Sequence, residues 1–200
     1  MTIQELLQKR FATKKFDSSK KVSGTDLSYI LECGRLSCSS SNTQPWKFIV
    51  IINPELREKL RSAAYGQAQI TDASHLIVVC TIKHAMDHAQ MTVDMIKAQS
   101  GEESAKHYEQ LVRGSTPGTP EQELSWLKQQ VYLPLQAMIL AGMERGIDSC
   151  PMGGFQSEEF AKILGVTDCV PTVLLTLGYA AAPGFPKMRL PMEAIVEYRN

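Results

Sequence analysis

The sequence has no G-x-G-x-x-G turn after a strand, so a nicotinamide nucleotide would not be held here by a Rossmann fold. A P-loop and a G-x-S-x-G nucleophile elbow are missing too, which removes the phosphoryl-transfer and serine-hydrolase readings that rest on them. Cysteine is sparse: Cys33, Cys38, Cys80, Cys150 and Cys169 are odd in number and lack a close pairing motif. That argues against a disulfide scaffold and for a reducing cytoplasm. Paired Cys/His spacing for zinc is absent as well. His84 and His88 are four residues apart, but no acid or cysteine joins them at ligand spacing, so they read as solvated. The 200 residues carry 21 basic and 21 acidic side chains. This zero net charge gives no overall field for nucleic acid or an anionic membrane. No apolar run approaches the ~20 residues of a membrane span. The N-terminal "MTIQELLQKR" is charged and helix-like, without the apolar core of a signal peptide. With no repeat, low-complexity tract or linker, residues 1–200 read as one domain.

What is present alternates between helices and a few apolar strands. Thr2 and Glu5 have the spacing of a capping box, with Ile3, Leu6 and Leu7 as the apolar face of the first helix. A second helix runs from Ser23 toward Leu36. "WKFIVIIN" (Trp46–Asn53) reads as a strand, and Trp46 as core. Asn53-Pro54 then caps a third helix. "HLIVVCTI" (His75–Ile82) and "PTVLLTLGYA" (Pro171–Ala180) read as buried strands. Between them lie a helical region from His84 to Arg113, a turn-rich break at Gly114–Glu121, and one long helix from Glu121 to Arg145. That helix is apolar nearly all round, with a kink expected at Pro134. "IDSCPMGGF" reads as a short extended piece with a glycine turn, and "SEEFAKILG" as a helix stopped by Gly165. The class is α+β, a small, mostly antiparallel sheet flanked by helices.

Three features carry chemistry. "KRFATKK" (Lys9–Lys15) and "PKMRLP" (Pro186–Pro191) are local surpluses of cations. Each alone is an ordinary solvated helix end or tail, yet a phosphate group takes such cations, arginine as a bidentate fork. "SSSNTQ" (Ser39–Gln44) offers small hydroxyls and amides just before a strand. Alone it is a turn, though such groups also suit a ribose-like chain or an amide-edged ring. "CPMGG" lets backbone approach a planar ligand closely.

"RFATKKFD", "SSSNTQPWKFIVI", "DASHLIVVC", "WLKQQVYL", "CPMGGF" and "FPKMRLP" follow one another along the chain. This ordered set resembles the nitroreductase family of FMN-dependent NAD(P)H oxidoreductases over nearly the whole length. Its most specific parts are N-T-Q-P-W and the upstream R-x-x-x-K. The resemblance implies an interlocked homodimer with two FMN sites at its interface. Arg10, Lys187 and Arg189 would take the phosphate and nearby ribityl oxygens, and Lys14 the pyrimidine edge of the ring. Ser39, Ser40 and Asn42 would reach the FMN held mainly by the other subunit. Pro151, Met152, Gly153 and Gly154 would lie along the ring face and at the reactive nitrogen. Gln67 and Gln69 would be neutral ring or ribityl ligands. Ser41 and Tyr108 would meet the substrate, Tyr108 from a variable lid between residues 84 and 120. Cys150, beside the ring turn but with no adjacent base, reads as packing.

The implied activity is ping-pong hydride transfer from NADH or NADPH to nitroaromatics, quinones or similar small electron-poor acceptors. Enone or pteridine reduction on the same scaffold, or a flavin-storage module, are the alternatives. The chain departs from the family pattern in three places, one being the middle segment "AYGQAQITDASH" around Gln67 and Gln69, which is shorter than usual. Phe11 and Ala12 replace the usual His-Ser, leaving backbone contacts to FMN, and Gly153 stands where an acid is common.

Overall fold

Local capping sets where the helices begin. The computed structural model describes residues 1–199. Helix α1 (Ile3–Lys9) starts at Thr2, whose hydroxyl accepts the Glu5 N–H while the Glu5 carboxylate accepts the Thr2 N–H. Ser23 caps α2 (Gly24–Arg35), and Asn53 caps α3 (Pro54–Ser62) with Pro54 in its first turn. Asn53→Ala removes the bond to the Leu56 N–H and should destabilise the protein by about 1 kcal/mol. Urea unfolding would show this as a lower midpoint at unchanged slope.

Four strands make one antiparallel sheet: β1 (Trp46–Ile51), β2 (His75–Ile82), β3 (Asp148–Met152) and β4 (Cys169–Gly178), in the order β1-β2-β4-β3. The extended piece at residues 148–152 is thus a full edge strand. Both faces of the central strands are buried. Leu76, Val78, Cys80 and Ile82 join the core formed with Leu60 of α3, Ile70 of α4 (Gln69–Asp72) and Phe160 of α9 (Ser157–Leu164). Ile77 and Val79 join Ile30 of α2 and Met138 and Ile139 of α8 (Tyr132–Glu144). Helices on both faces explain why β2 and β4 are continuously apolar instead of alternating. Arg57 is buried between layers and donates to the carbonyls of Ile70, Ala73 and Ser74. It thereby closes the C-terminal end of α4.

The helical middle fills in one expectation and overturns another. The region from His84 is two helices, α5 (Ala85–Ser100) and α6 (Glu102–Ser115), broken at Gly101 with φ 87°. The single long helix expected from Glu121 is also two, α7 (Pro120–Gln130) and α8. The break falls at Val131, and Pro134 sits in the first turn of α8, where its missing N–H has no helical partner to lose. Helices α5 to α7 carry a small core of their own, from Ala85, Ala89, Val112 and Leu127. The apolar face of α1 is only partly used: Leu6 is buried, while Ile3 and Leu7 are exposed, as are Tyr132 and Leu133 of α8. Trp46 is buried. Among the described residues no helix is long and apolar enough to cross a membrane.

Candidate functional site

The two ends of the chain meet at a cluster of cations. Arg10 follows α1, and its carbonyl accepts a hydrogen bond from Lys187 Nζ at 2.6 Å. Burial, and then the neighbouring charges of Arg10 and Arg189, pull the Lys187 ammonium below its ordinary value. Arg10 and Arg189 line one cavity of about 450 Å³ together with Pro151, Met152 and Gly153. Among the described residues, no carboxylate lies within ion-pair distance of Arg10, Lys187 or Arg189. Positive charge left uncompensated beside a glycine turn is the donor set that a phosphate monoester takes.

Lys14 stands in a neighbouring pocket of about 250 Å³, shared with Phe11, Ala12 and Gly184. Its Nζ lies 3.8 Å from Cys150 Sγ. Burial raises the Cys150 thiol, and the opposing pull of Lys14 does not overcome it. The cysteine is therefore neutral packing beneath the lysine. Ala12 forms a bridge to Ser149, and the Thr13 N–H donates to the Ser149 carbonyl, which ties the Arg10–Lys14 segment to β3. The Phe11 ring packs so tightly on Gly184 that a Cβ there would overlap it. The departure at Phe11 thus serves to fasten the C-terminal tail over the segment.

Met152 ends β3, and Gly153 and Gly154 form the exposed turn after it. Gln67 Nε2 donates to the Gly154 carbonyl at 2.7 Å and to the Ala64 carbonyl at 3.0 Å. Gln67 therefore reaches the turn, while Gln69 is buried in α4, and neither lines the cavity with Arg10 and Arg189. Space is open beside Gly153, so its lack of a side chain is not enforced by packing.

The polar loop lies elsewhere. Residues 39–44 lead into the start of β1, and the glycine turn follows the end of β3. Because β1 and β3 run in opposite directions, loop and turn share one end of the sheet, but they stand on opposite edges. Three strand spacings separate those edges, about 14 Å. One chain does not bring Ser39, Ser40 and Asn42 onto its own glycine turn.

The loop has unusual backbone geometry and many distant partners. Ser41, Asn42 and Gln44 have φ of 49°, 51° and 46°, in the left-handed region. The Tyr108 hydroxyl bonds the carbonyls of Ser41 at 3.0 Å and Asn42 at 3.2 Å. Gln130 Oε1 accepts the Ser40 N–H at 2.9 Å. Ser41 Oγ is 2.8 Å from Ser115 Oγ, whose own proton goes to the Val112 carbonyl, so Ser41 is the donor. The hydroxyls of Ser41 and Tyr108, both expected at the substrate, are thus engaged between loop and lid. His88 is not a freely solvated side chain: its Nδ1 lies 2.9 Å from the Gln44 carbonyl and carries the proton of that bond. Gln130, Ser115 and His88 gave no signal in sequence, because each lies far along the chain from the residue it holds.

The family model described as the nitroreductase family matches residues 7–179. A protein of Bacillus subtilis (strain 168) named NAD(P)H nitroreductase YfkO is 34% identical over 213 residues, covering 94% of this chain and 93% of its own. A nitroreductase of Exiguobacterium sibiricum 255-15, solved in complex with FMN, superposes with a TM-score of 0.86 at 26% identity, over 100% of this chain and 98% of that one. An NAD(P)H:FMN oxidoreductase of Staphylococcus epidermidis superposes with a TM-score of 0.90 at 22% identity, over 99% and 96%, and shares the fold.

Proposed function

The chain belongs to the nitroreductase family, and on that premise we propose that it is an FMN-dependent NAD(P)H oxidoreductase. It acts as a cytoplasmic homodimer on nitroaromatics, quinones or similar electron-poor acceptors. One observation carries the reading: three cations from opposite ends of the chain, without carboxylate partners among the described residues, converge beside the glycine turn. The donor set fits the phosphate of FMN. FMN, when bound, supplies the ring that takes a hydride from the nicotinamide and yields it to the acceptor. The protein's own work is to bind and orient. Arg10, Lys187 and Arg189 hold the phosphate and nearby ribityl oxygens, with Phe11 and Ala12 contributing backbone. Pro151, Met152, Gly153 and Gly154 would lie along the ring, and Lys14 would supply positive charge at its pyrimidine edge. Gln67 keeps the glycine turn in place. Nicotinamide and acceptor occupy the same place in turn, which gives ping-pong kinetics and requires no strong acid or base from the chain.

The position of the loop supports the dimer. Ser39, Ser40 and Asn42 stand an entire sheet width from the glycine turn of their own chain, so they serve the site of a second one. The tail supports this: Phe185 and Tyr198 are 88% and 87% exposed, and such apolar surface calls for a partner. Ile3, Leu7, Tyr132 and Leu133 add to it.

Purified protein should be yellow, bleach anaerobically with NADH or NADPH, and recolour when a quinone or nitroaromatic is added. Protein that stays yellow with both nicotinamides would be a storage module instead. Sedimentation on dilution tests the shared site. Colour should disappear from the monomer fraction, and a monomer still fully yellow would return Ser39, Ser40 and Asn42 to ordinary turn residues.

A further inference from the structure

Left-handed backbone at a serine, an asparagine and a glutamine is unfavourable, and it persists only where surrounding groups enforce it. Here the enforcing groups come from the lid and from α7, the helix that follows it. Tyr108 of α6 engages two consecutive carbonyls, those of Ser41 and Asn42, with one hydroxyl. Gln130 of α7 and His88 of α5 hold the loop at Ser40 and Gln44. Inside the loop, Ser39 Oγ accepts the Gln44 N–H and closes the turn on itself. The Tyr108 ring packs against the small core of α5 to α7, so the hydroxyl is aimed by the lid. Burial raises this phenol, which keeps it protonated and able to donate.

We propose that Tyr108 is a positioning residue for the cofactor: it holds Ser41 and Asn42 in the left-handed conformation that lets the loop engage FMN. This rests on the reading that the loop is an FMN ligand. The lid and the FMN site are then energetically linked. Whatever orders α5 to α7 around Tyr108 tightens FMN, and FMN in turn orders the lid by the same factor.

Tyr108→Phe keeps the ring in its core and removes only the hydroxyl. Titration of the apoprotein with FMN, followed by flavin fluorescence, should show affinity lowered by about three- to tenfold, the scale of one neutral hydrogen bond, here shared between two carbonyls. Amide hydrogen exchange should quicken at Asn42, Thr43 and Gln44, whose N–H groups are bonded within the loop, while β2 and β4 keep wild-type protection. Loop exchange that does not change overturns the proposal directly. Quickened exchange with wild-type FMN affinity overturns it through the reading beneath, and Ser40→Ala and Asn42→Ala should then leave FMN affinity unchanged too. A second background separates positioning from general packing. Ser41→Gly adopts the left-handed region without penalty, so adding Tyr108→Phe there should weaken FMN less than in the wild type. Equal losses in both backgrounds would assign Tyr108 to lid packing alone and overturn the proposal.

Discussion

Lys14→Met should slow flavin reduction by NAD(P)H about tenfold to a thousandfold, the rate equivalent of ~1.4–4 kcal/mol. Methionine keeps much of the length and removes the charge. Lys14 has no carboxylate within ion-pair distance among the described residues. Its Nζ lies 3.8 Å from the buried, neutral Cys150 thiol. The full positive charge is therefore available to whatever lies beside it. Placed at the pyrimidine edge, as proposed, it would favour an electron-rich ring over a neutral one, so the contact would be worth most in the reduced state. Contacts of that kind act on the chemical step more than on resting affinity. The variant should accordingly show a lower flavin midpoint potential in redox titration, while FMN affinity falls far less than in phosphate-site variants. Wild-type potential together with a wild-type reduction rate would leave Lys14 as a solvated lysine.

Arg189→Ala should weaken FMN by about 1.5–3 kcal/mol, the scale of a charge-assisted hydrogen bond, or roughly tenfold to 150-fold in Kd. Arg10→Ala should behave alike, because both guanidinium groups line the cavity beside the glycine turn. Lys187 links them, with its ammonium on the Arg10 carbonyl and its proton affinity lowered by burial and by both neighbours. Like charges held together without an anion repel, and a phosphate turns that repulsion into attraction. Removing one cation should also reduce the salt sensitivity of FMN binding. Unchanged affinity in both variants, measured by apoprotein titration, would remove the phosphate assignment.

Features that depend on a few neighbouring residues were legible in sequence. Thr2, Ser23 and Asn53 cap the helices they were expected to cap, and Gly165 ends α9 with φ 66°. The buried strands at β2 and β4 were legible because two helical layers make them apolar throughout. The strand at Asp148–Met152 was harder: it is short, carries Pro151, and is tolerated as a strand because it is an edge. The break at Val131 has no glycine or proline to mark it, whereas Pro134 drew attention and sits harmlessly in a first turn. For the site, the residues alone showed two basic clusters, and only the family resemblance implied their meeting at one phosphate, since Arg10 and Lys187 are joined only by the fold. The bracing of the loop was invisible for the same reason. Tyr108 suggested a pocket wall, and only packing of the lid turns its hydroxyl onto two carbonyls.

The order of the sheet has a consequence for how the protein is made. Its two central strands pair His75 with Leu177, so the middle of the sheet cannot close until β4, about a hundred residues after β2, has left the ribosome. Until then the strand His75–Ile82, which is buried from Leu76 to Ile82 in the finished protein, has only β1 beside it. Pairing at such sequence separation slows folding, and an unpaired apolar edge invites other chains. The nascent protein is most exposed to aggregation in the interval between synthesis of β2 and of β4, when α5 to α8 are already being formed.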